Sequence, residues 1–270
     1  MVDVAQLVRV PDCGSEGRGF ESHLPPQNKI AVTLVTAIFF IFANQTLQKM
    51  EELKTLFDLS TVGNNEYQIR FDKIAEVLFS QYAIKNAGGL TYRFADIEFY
   101  YSALGHTDFV AHPRESKSMR WYINDFGGID INFESNAMKS DPHNPCSKYQ
   151  WNSHACFGGI LIRQLVAEDS GVVLDGPLKV AELFRDLGDV IGGVQLPTLV
   201  KKTTISNDQP KRYIRHNLVS KPNDEESFKA KLRNIRTWYS NAPDLEASIE
   251  EYKRQVDKLY RYCLPRYYRK

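Results

Sequence analysis

The six residues 96–101 constrain the fold of this chain more than any other stretch, because their side chains alternate in character. Ile97, Phe99 and Tyr101 alternate with Asp96, Glu98 and Tyr100. Successive side chains of a β-strand point to opposite faces, so the pattern predicts a strand with one apolar face and one face that carries carboxylates. Glu98 then shares a face with Tyr100, which makes it a candidate general base. A surface glutamate on an ordinary strand is the alternative interpretation.

A polar loop follows this strand and carries His106, Asp108 and His112. These side chains are of the kinds that bind metals, but their His-x-Asp-x3-His spacing matches no strong metal signature. The four cysteines of the chain contain no Cys-x-x-Cys pair. We therefore expect neither a metal site nor a disulfide framework, and the scattered cysteines suit a reducing, cytoplasmic compartment.

Length and charge distribution narrow the class of protein further. A chain of 270 residues, 43% of them hydrophobic, is long enough to bury a substantial core as one domain. The formal net charge is only +1, yet residues 201–270 hold 17 Lys and Arg against 9 Asp and Glu. This local excess is compatible with a polyanionic partner, and a solvated helical surface explains it equally well.

Residues 1–26 resemble a tRNA gene translated in frame. Residues 5–9 (AQLVR) are the translation of GCT CAG TTG GTT AGA, a common tRNA D-arm sequence. Residues 19–22 (GFES) correspond in the same way to the T-arm, and the two segments follow each other in the order of a tRNA gene. We therefore expect residues 1–49 to be a spurious or disordered extension, with the true start at Met50.

The apolar run 30–43 (IAVTLVTAIFFIFA) is untranslated spacer in that interpretation. Its rival is the apolar region of a signal peptide or a short anchor, since the run is too short to span a bilayer comfortably. The rival implies an exported protein with an unrelated ligand. We favour the first interpretation and expect no membrane partner.

Hydrophobic periodicity beyond residue 50 predicts a mixture of helices and strands. A helix that includes Ile74 and Leu78 is expected to end at Gly88-Gly89. The other expected elements are strands at 119–124 and 128–133 around the turn Asp125-Phe126-Gly127, a strand at 157–166, a helix from Pro177 to about Leu187, and a final strand at 213–219. Apolar stripes within 228–239 and 245–263 predict an antiparallel pair of C-terminal helices.

Five short motifs resemble, in their order and approximate spacing, those of the alkyladenine (3-methyladenine, or methylpurine) DNA glycosylase family. They are 97–100 (IEFY), 108–112 (DFVAH), 159–163 (GILIR), 176–179 (GPLK) and 211–215 (KRYIR). The resemblance implies a mixed α/β (α+β) domain at residues 50–220, built on a curved, largely antiparallel sheet with flanking helices. The helical pair at 221–270 would pack on this domain.

The resemblance also implies a base-excision repair enzyme that hydrolyses the N-glycosidic bond of an alkylated or deaminated purine in double-stranded DNA. Such an enzyme extrudes the nucleotide and grips the base between aromatic faces. Glu98 would be the general base, and Arg163, at the end of an apolar strand, would orient the water or a phosphate. The implied pocket residues are Tyr100, His112, Tyr122 (with Trp121 as its rival) and Asn132. The implied DNA contacts are Phe126, Lys179, Arg212 and Arg215.

The resemblance implies no metal, cofactor or lysine Schiff base, and we expect a nucleoid-associated monomer. Some features depart from the family pattern. The loop between Tyr100 and Asp108 is longer, the wedge before the glycine is Phe126 where the family commonly has Tyr, and the segment from there to Asn132 is one residue shorter. A non-catalytic purine- or nucleic-acid-binding protein of the same fold is the alternative function, with Glu98 and Arg163 as a structural ion pair.

Overall fold

The two faces of one long strand organise the architecture in the computed structural model. The structure describes residues 51–185, 191, 196–219 and 225–269. All of them lie in the second of the two units into which the chain divides, Met50–Lys270. The predictions for residues 1–49 lie outside the described residues. The fold is mixed α/β with a large antiparallel sheet.

The helices are α1 (51–57), α2 (Tyr67–Gln81), α3 (Pro177–Ala181), α4 (His216–Val219), α5 (Glu225–Arg236) and α6 (Ile249–Val256). The strands are β1 (Tyr82–Lys85), β2 (Thr91–Ser102), β3 (Glu115–Ser116), β4 (Trp121–Ile123), β5 (Ile129–Asn132), β6 (Ser135–Asn136), β7 (Phe157–Ala167), β8 (Val173–Asp175), β9 (Thr198–Lys201), β10 (Lys211–Tyr213) and β11 (Arg261–Cys263). No helix of the described residues combines the length and the apolar character needed to cross a membrane.

The large sheet runs in the order β10-β11-β2-β7-β5-β4, with antiparallel pairing throughout. The first residues of β2 also pair with β1, and β1 in turn pairs with β9. Strand β8 pairs with the last part of β7. Strands β3 and β6 form a separate two-stranded sheet. The longest strands, β2 and β7, therefore lie at the centre of the sheet, and they carry Glu98 and Arg163.

The apolar face of β2 packs against α2, as the alternation of 96–101 predicts. Ile97 and Phe99 are fully buried there, and the ring of Phe99 stacks on Phe71 of α2 at a centroid distance of 4.5 Å. Apolar residues of α2 recur at the spacing of one helical face, including Ile74 and Leu78. The strand prediction is confirmed.

The opposite face of β2 is also buried, although it is polar. Asp96 is 1% exposed and Glu98 is 0% exposed. The pairing register brings Leu161 of β7 and Arg261 of β11 beside Glu98, and Asp130 of β5 beside Leu161. Because buried charges are stabilised only with partners, this face has to be a network of ion pairs and hydrogen bonds.

A β-bulge interrupts the pairing of β2 and β7 at the position of Arg163. Asp96 pairs with Gln164 and Ile97 with Ile162, so Arg163 is the extra residue between them. Bulges turn a side chain out of the regular alternation and occur often beside active sites. Arg163 lies inside β7, as the predicted strand at 157–166 has it, and its expected position at the end of an apolar strand is wrong. The strand continues to Ala167, and the bulge rather than the strand end aims the guanidinium.

Several element boundaries differ from the predicted ones. Helix α2 ends at Gln81, and Gly88-Gly89 belongs to the β1–β2 hairpin turn, where the Asn86 backbone N–H donates to the carbonyl of Leu90. The strand expected at 213–219 is β10 followed by α4. The helix expected to extend to Cys263 ends at Val256, and Cys263 lies in β11. Since β11 pairs with β2, a boundary at residue 220 does not separate the sheet from the C-terminal segment.

Candidate active site

A cleft of about 480 Å³ opens on the polar face of the sheet. Pockets for small molecules generally range over about 300–1,000 Å³. Tyr100, Leu161 and Arg163 lie at the floor of this cleft. Its walls include the β4–β5 turn, the start of α3, and Trp238, which follows α5. The cleft is therefore large enough for a nucleobase and has aromatic and charged side chains on its surface.

Glu98 lies beside the floor of the cleft and has three polar neighbours. The phenol of Tyr100 donates a hydrogen bond to Glu98 Oε2 at 2.8 Å, and Arg163 Nη1 lies 3.5 Å from the same oxygen. The backbone N–H of His216, the first residue of α4, donates to Oε1 at 2.5 Å. Burial raises the pKa of Tyr100 well above its usual value, so its phenol keeps the proton that it donates. The structure thus brings together Glu98, Tyr100 and Arg163.

Arg163 lies between two carboxylates rather than one. Its Nη1 is 3.5 Å from Glu98 and its Nε is 3.6 Å from Asp96 Oδ2. Asp96 is held on its other side by Arg261, whose Nε and Nη2 donate at 2.8–3.1 Å. Burial raises the pKa of Asp96 to about 6, which Arg261 partly counteracts.

His112 forms part of the cleft wall, as predicted. Its Nε2 lies 2.8 Å from Asp125, and its ring lies 4.6 Å from the ring of Trp238, centroid to centroid. Burial lowers the pKa of His112, while Asp125 works in the opposite direction. A neutral ring that donates from Nε2 leaves Nδ1 as an acceptor, and this buried atom has no hydrogen-bond partner in the described structure.

Tyr122 and Asn132 lie on the polar sheet face but are covered by Arg114. The Arg114 guanidinium lies 4.2 Å from the centroid of the Tyr122 ring, and its Nη1 donates to Asn132 Oδ1 at 3.0 Å and to Asp130 at 2.5 Å. Arg114 and Asp130 line the cleft in their place. The expected stacking and lining roles of Tyr122 and Asn132 are thus not supported in this conformation.

Trp121 lies on the other face of the sheet, so it does not replace Tyr122 as a wall of the cleft. Its indole N–H donates to the carbonyl of Pro197 at 2.8 Å, and its ring packs edge-on against Phe184. The side chain belongs to the apolar layer that also contains Ile131. Alternation along β4 separates the two neighbouring aromatics.

Phe126 is at the tip of the β4–β5 hairpin and is 74% exposed. The side chain of Asn124 fixes the turn by accepting from the backbone N–H groups of Phe126 and Gly128, and Gly127 has a φ of 79° that favours glycine. The same turn forms part of the cleft wall. A rigid hairpin therefore presents an exposed aromatic ring at the mouth of the cleft.

The three basic residues expected to contact DNA differ in accessibility. Lys179 is exposed and pairs with Glu182 at 2.9 Å. Arg212 points to the α2 side of the sheet, away from Glu98, where it pairs with Asp72 at 2.7 Å. Arg215 is fully buried and binds both oxygens of Asp108 at 2.5 and 3.1 Å. The prediction that Arg215 contacts DNA is wrong for this conformation, because its head group is enclosed in the core.

The three residues of the rival metal site point in different directions. His106 is buried between the Tyr101 carbonyl and the Tyr260 hydroxyl, Asp108 binds Arg215, and His112 faces Asp125. Among the described residues, no group of three or more His, Cys, Asp or Glu is placed to hold a metal ion. The loop therefore uses these side chains for internal hydrogen bonds and for the cleft wall.

Sequence reasoning missed Arg114, Asp130, Trp238 and Arg261. A signal existed for Asp130, which is two residues before Asn132 and thus shares its strand face. Arg114 follows His112 by two residues in an irregular loop, which has no regular face to read. Arg261 was placed in a predicted helix, and Trp238 is far along the chain from Tyr100 and His112, so no local pattern connects it with them.

No family model matches the chain, and no curated protein matches it. The resemblance of its motifs to DNA glycosylases therefore stays a prediction.

Proposed function

We propose that this protein hydrolyses the N-glycosidic bond of an alkylated or deaminated purine in double-stranded DNA. The observation that carries the proposal is the group formed by Glu98, Tyr100 and Arg163 at a cleft that can hold a base, with Phe126 exposed at its mouth. The motif order along the chain supports the same function. No metal, cofactor or covalent lysine intermediate enters the proposed reaction.

Aromatic side chains line the cleft and can stack on an extruded base. Tyr100 and Trp238 present ring faces and edges, and base–aromatic stacking contributes roughly 1–3 kcal/mol per base. His112 adds a third ring to the cleft wall. We infer that Phe126, which is exposed at the mouth of the cleft, fills the gap that an extruded nucleotide leaves in the stack.

In the proposed reaction, Glu98 accepts a proton from a water molecule as the water oxygen bonds to C1′ of the sugar. The bond from C1′ to the base nitrogen breaks, and its electron pair leaves with the base. Arg163 orients the water or the neighbouring phosphate through its planar set of donors. Tyr100 and Arg163 both donate to Glu98 Oε2 and His216 donates to Oε1, which leaves one acceptor position on Oε1, because a carboxylate has about four.

We also propose the finer architecture that the motifs imply. The motifs imply a single domain at residues 50–220 with a helical pair packed on it, and we extend this domain to residue 270 because β11 pairs with β2. In this proposal, α5 and α6 form the antiparallel pair, and their apolar faces meet around Phe228 and Tyr252, 5.4 Å apart between ring centroids. The protein would act as a monomer associated with the nucleoid, consistent with the basic excess of residues 201–270.

One observation favours a second function, which is binding of a purine or a damaged nucleotide without hydrolysis. Glu98 is 0% exposed, and both of its oxygens already have partners. A carboxylate enclosed in this way resembles a structural ion-pair member more than a base that contacts water.

Replacement of Glu98 by Gln in the full chain distinguishes the two functions. The substrates are duplex oligonucleotides that carry hypoxanthine, ethenoadenine or a methylated purine, and the readout is the appearance of abasic sites. If Glu98 is the general base, base release by Glu98→Gln falls about 10²- to 10⁴-fold while binding of the damaged duplex is retained.

Glu134→Gln is the matched control, because Glu134 forms a surface pair with Lys117. It should release the base at the rate of the unmodified protein. Binding without any base release by the unmodified protein would favour the second function, and absence of both would contradict the two proposals together.

A further inference from the structure

A single arginine binds both carboxylate oxygens of Asp96, whereas separate donors bind the two oxygens of Glu98. The carboxylate is 1% exposed and lies on the same sheet face, two residues before Glu98. Arg261 of β11 binds both of its oxygens, with Nε at 3.1 Å from each and Nη2 at 2.8 Å from Oδ2. Its geometry is that of a two-point ion pair, which fixes both position and orientation.

Arg163 is the group that connects Asp96 to the cleft. The distances from its guanidinium to Asp96 and Glu98 are nearly equal, 3.6 and 3.5 Å, and both exceed the length of a normal charge-assisted hydrogen bond. Its buried Nε has no hydrogen-bond partner in the described structure. Arg163 therefore makes one long hydrogen bond to Glu98 and an ion pair with Asp96, and is attracted by both carboxylates.

We propose that Asp96 is a positioning residue. With Arg261 as its anchor, it holds the Arg163 guanidinium between two carboxylates and so keeps the long Arg163–Glu98 contact from closing into a short, two-point ion pair. The inference rests on the proposed function, in which Glu98 must accept a proton. Without an anionic Asp96, Arg163 moves onto Glu98 and removes the lone pair that the reaction needs.

The surroundings of Asp96 decide at which pH it is anionic. The titratable or charged groups around it are Glu98 on its own strand, Arg163 on β7, Arg261 and Cys263 on β11, Tyr213 on β10, and Asp175 on β8. Burial raises the pKa of Asp96 to about 6, Arg261 and Arg163 lower it, and Glu98 raises it. The anion is therefore present above about pH 6 and is lost as the pH falls through that value.

Two single variants and a double variant test the role in the full chain. Asp96→Asn removes the charge at every pH. We expect its maximal rate of base release to fall between about 10- and 100-fold above about pH 6, where the unmodified protein has the anion, with little change in KM, because the error lies in orientation rather than binding. Below that pH the two proteins should become alike. Arg261→Gln removes the group that most strongly lowers the Asp96 pKa. Its activity should be low at pH 7 and return towards that of the unmodified protein at about pH 9.

The double variant Asp96→Asn/Arg261→Gln guards against misfolding, because it removes both buried charges together and leaves neither unpaired. It should show the same rate loss as Asp96→Asn and no recovery at high pH. Asp96→Glu should restore part of the rate. A rate and pH profile like those of the unmodified protein in the double variant would overturn the proposal.

The NMR signal of the Arg163 Nε–H group gives a readout that does not need activity. We expect it to shift in Asp96→Asn and in the double variant, and to remain in place in the surface variant Glu134→Gln. If the unmodified protein releases no base, the proposed function fails, and this signal alone decides the positioning role. An unchanged Arg163 signal in both Asp96 variants would overturn that role.

Discussion

At the scale of single residues, buried charges decide both stability and chemistry in this protein. The described part of the core encloses the pairs Arg215–Asp108, Arg114–Asp130 and Arg261–Asp96. Each of these side chains is at most 3% exposed. A buried pair adds little net stability, whereas removal of one partner leaves a charge with no compensation. The polar sheet face is therefore sensitive to single substitutions that a surface would tolerate.

Asp108→Asn should destabilise the protein by about 3–5 kcal/mol, because it removes the counter-charge of the fully buried Arg215. The measurement is the free energy of unfolding in urea. Glu250→Gln is the matched control, since the Glu250–Lys253 pair is on the surface, and it should have no measurable effect. An Asp108→Asn variant as stable as the unmodified protein would show that Arg215 finds other acceptors, such as the Phe99 carbonyl at 3.2 Å.

At the scale of elements, side-chain hydrogen bonds hold the turn of the β4–β5 hairpin in one conformation. The Asn124 side chain accepts two backbone hydrogen bonds within the turn and donates a third to Asp130, so the turn is joined to the network at the floor of the cleft. Gly127 has positive φ, and Leu178 of α3 lies against it. The Asn124 hydrogen bonds and the contact with Leu178 therefore fix the hairpin tip, although the ring of Phe126 at this tip is exposed.

Phe126→Ala should reduce base release from duplex DNA by about tenfold or more while release from a single-stranded oligonucleotide changes little. The physical reason is that a wedge is needed only where an extruded base leaves a gap in a stack. The control is Ile123→Ala, which truncates another exposed apolar residue of the same hairpin, 67% exposed. Both variants should keep the thermal stability of the unmodified protein. Equal losses on both substrates would contradict the role of Phe126 as a wedge.

At the scale of the whole molecule, the C-terminal segment completes the sheet. Strand β11 inserts between β10 and β2, and it supplies Arg261 to Asp96 from 165 residues away along the chain. Asp96 therefore has its arginine partner only when β11 is in place. This arrangement makes residues 261–263 part of the sheet that carries the cleft rather than an addition to it.

A chain of residues 50–270 should fold and act like the full chain. The hydrophobic core of the unit Met50–Lys270 is built from residues of that unit. Melting temperature and base release of the two chains provide the measurement. Further removal of residues 257–270 deletes β11 and should abolish the cooperative unfolding transition. A marked loss of stability on removal of residues 1–49 alone would contradict the prediction.

The sequence alone predicted the local part of this architecture. Alternation over residues 96–101 gave both faces of β2, and the apolar run at 157–166 gave β7, because each pattern extends over enough residues to have a recognisable period. The turn at 125–127 was predicted from its glycine and its flanking strands. Glu98 and Arg163 were paired by argument from chemistry, since a buried arginine needs an anion.

Only the tertiary structure decided which charged side chains pair with each other on the polar face of the sheet. Strand β11 has three residues, too few to distinguish a strand period from a helical one, so Arg261 was hidden in an expected helix. The bulge at Arg163, the cover of Arg114 over Tyr122 and the burial of Arg215 all depend on contacts between distant segments. Local patterns fix which face a side chain occupies, but the partner that it meets on that face is set by packing across the whole sheet.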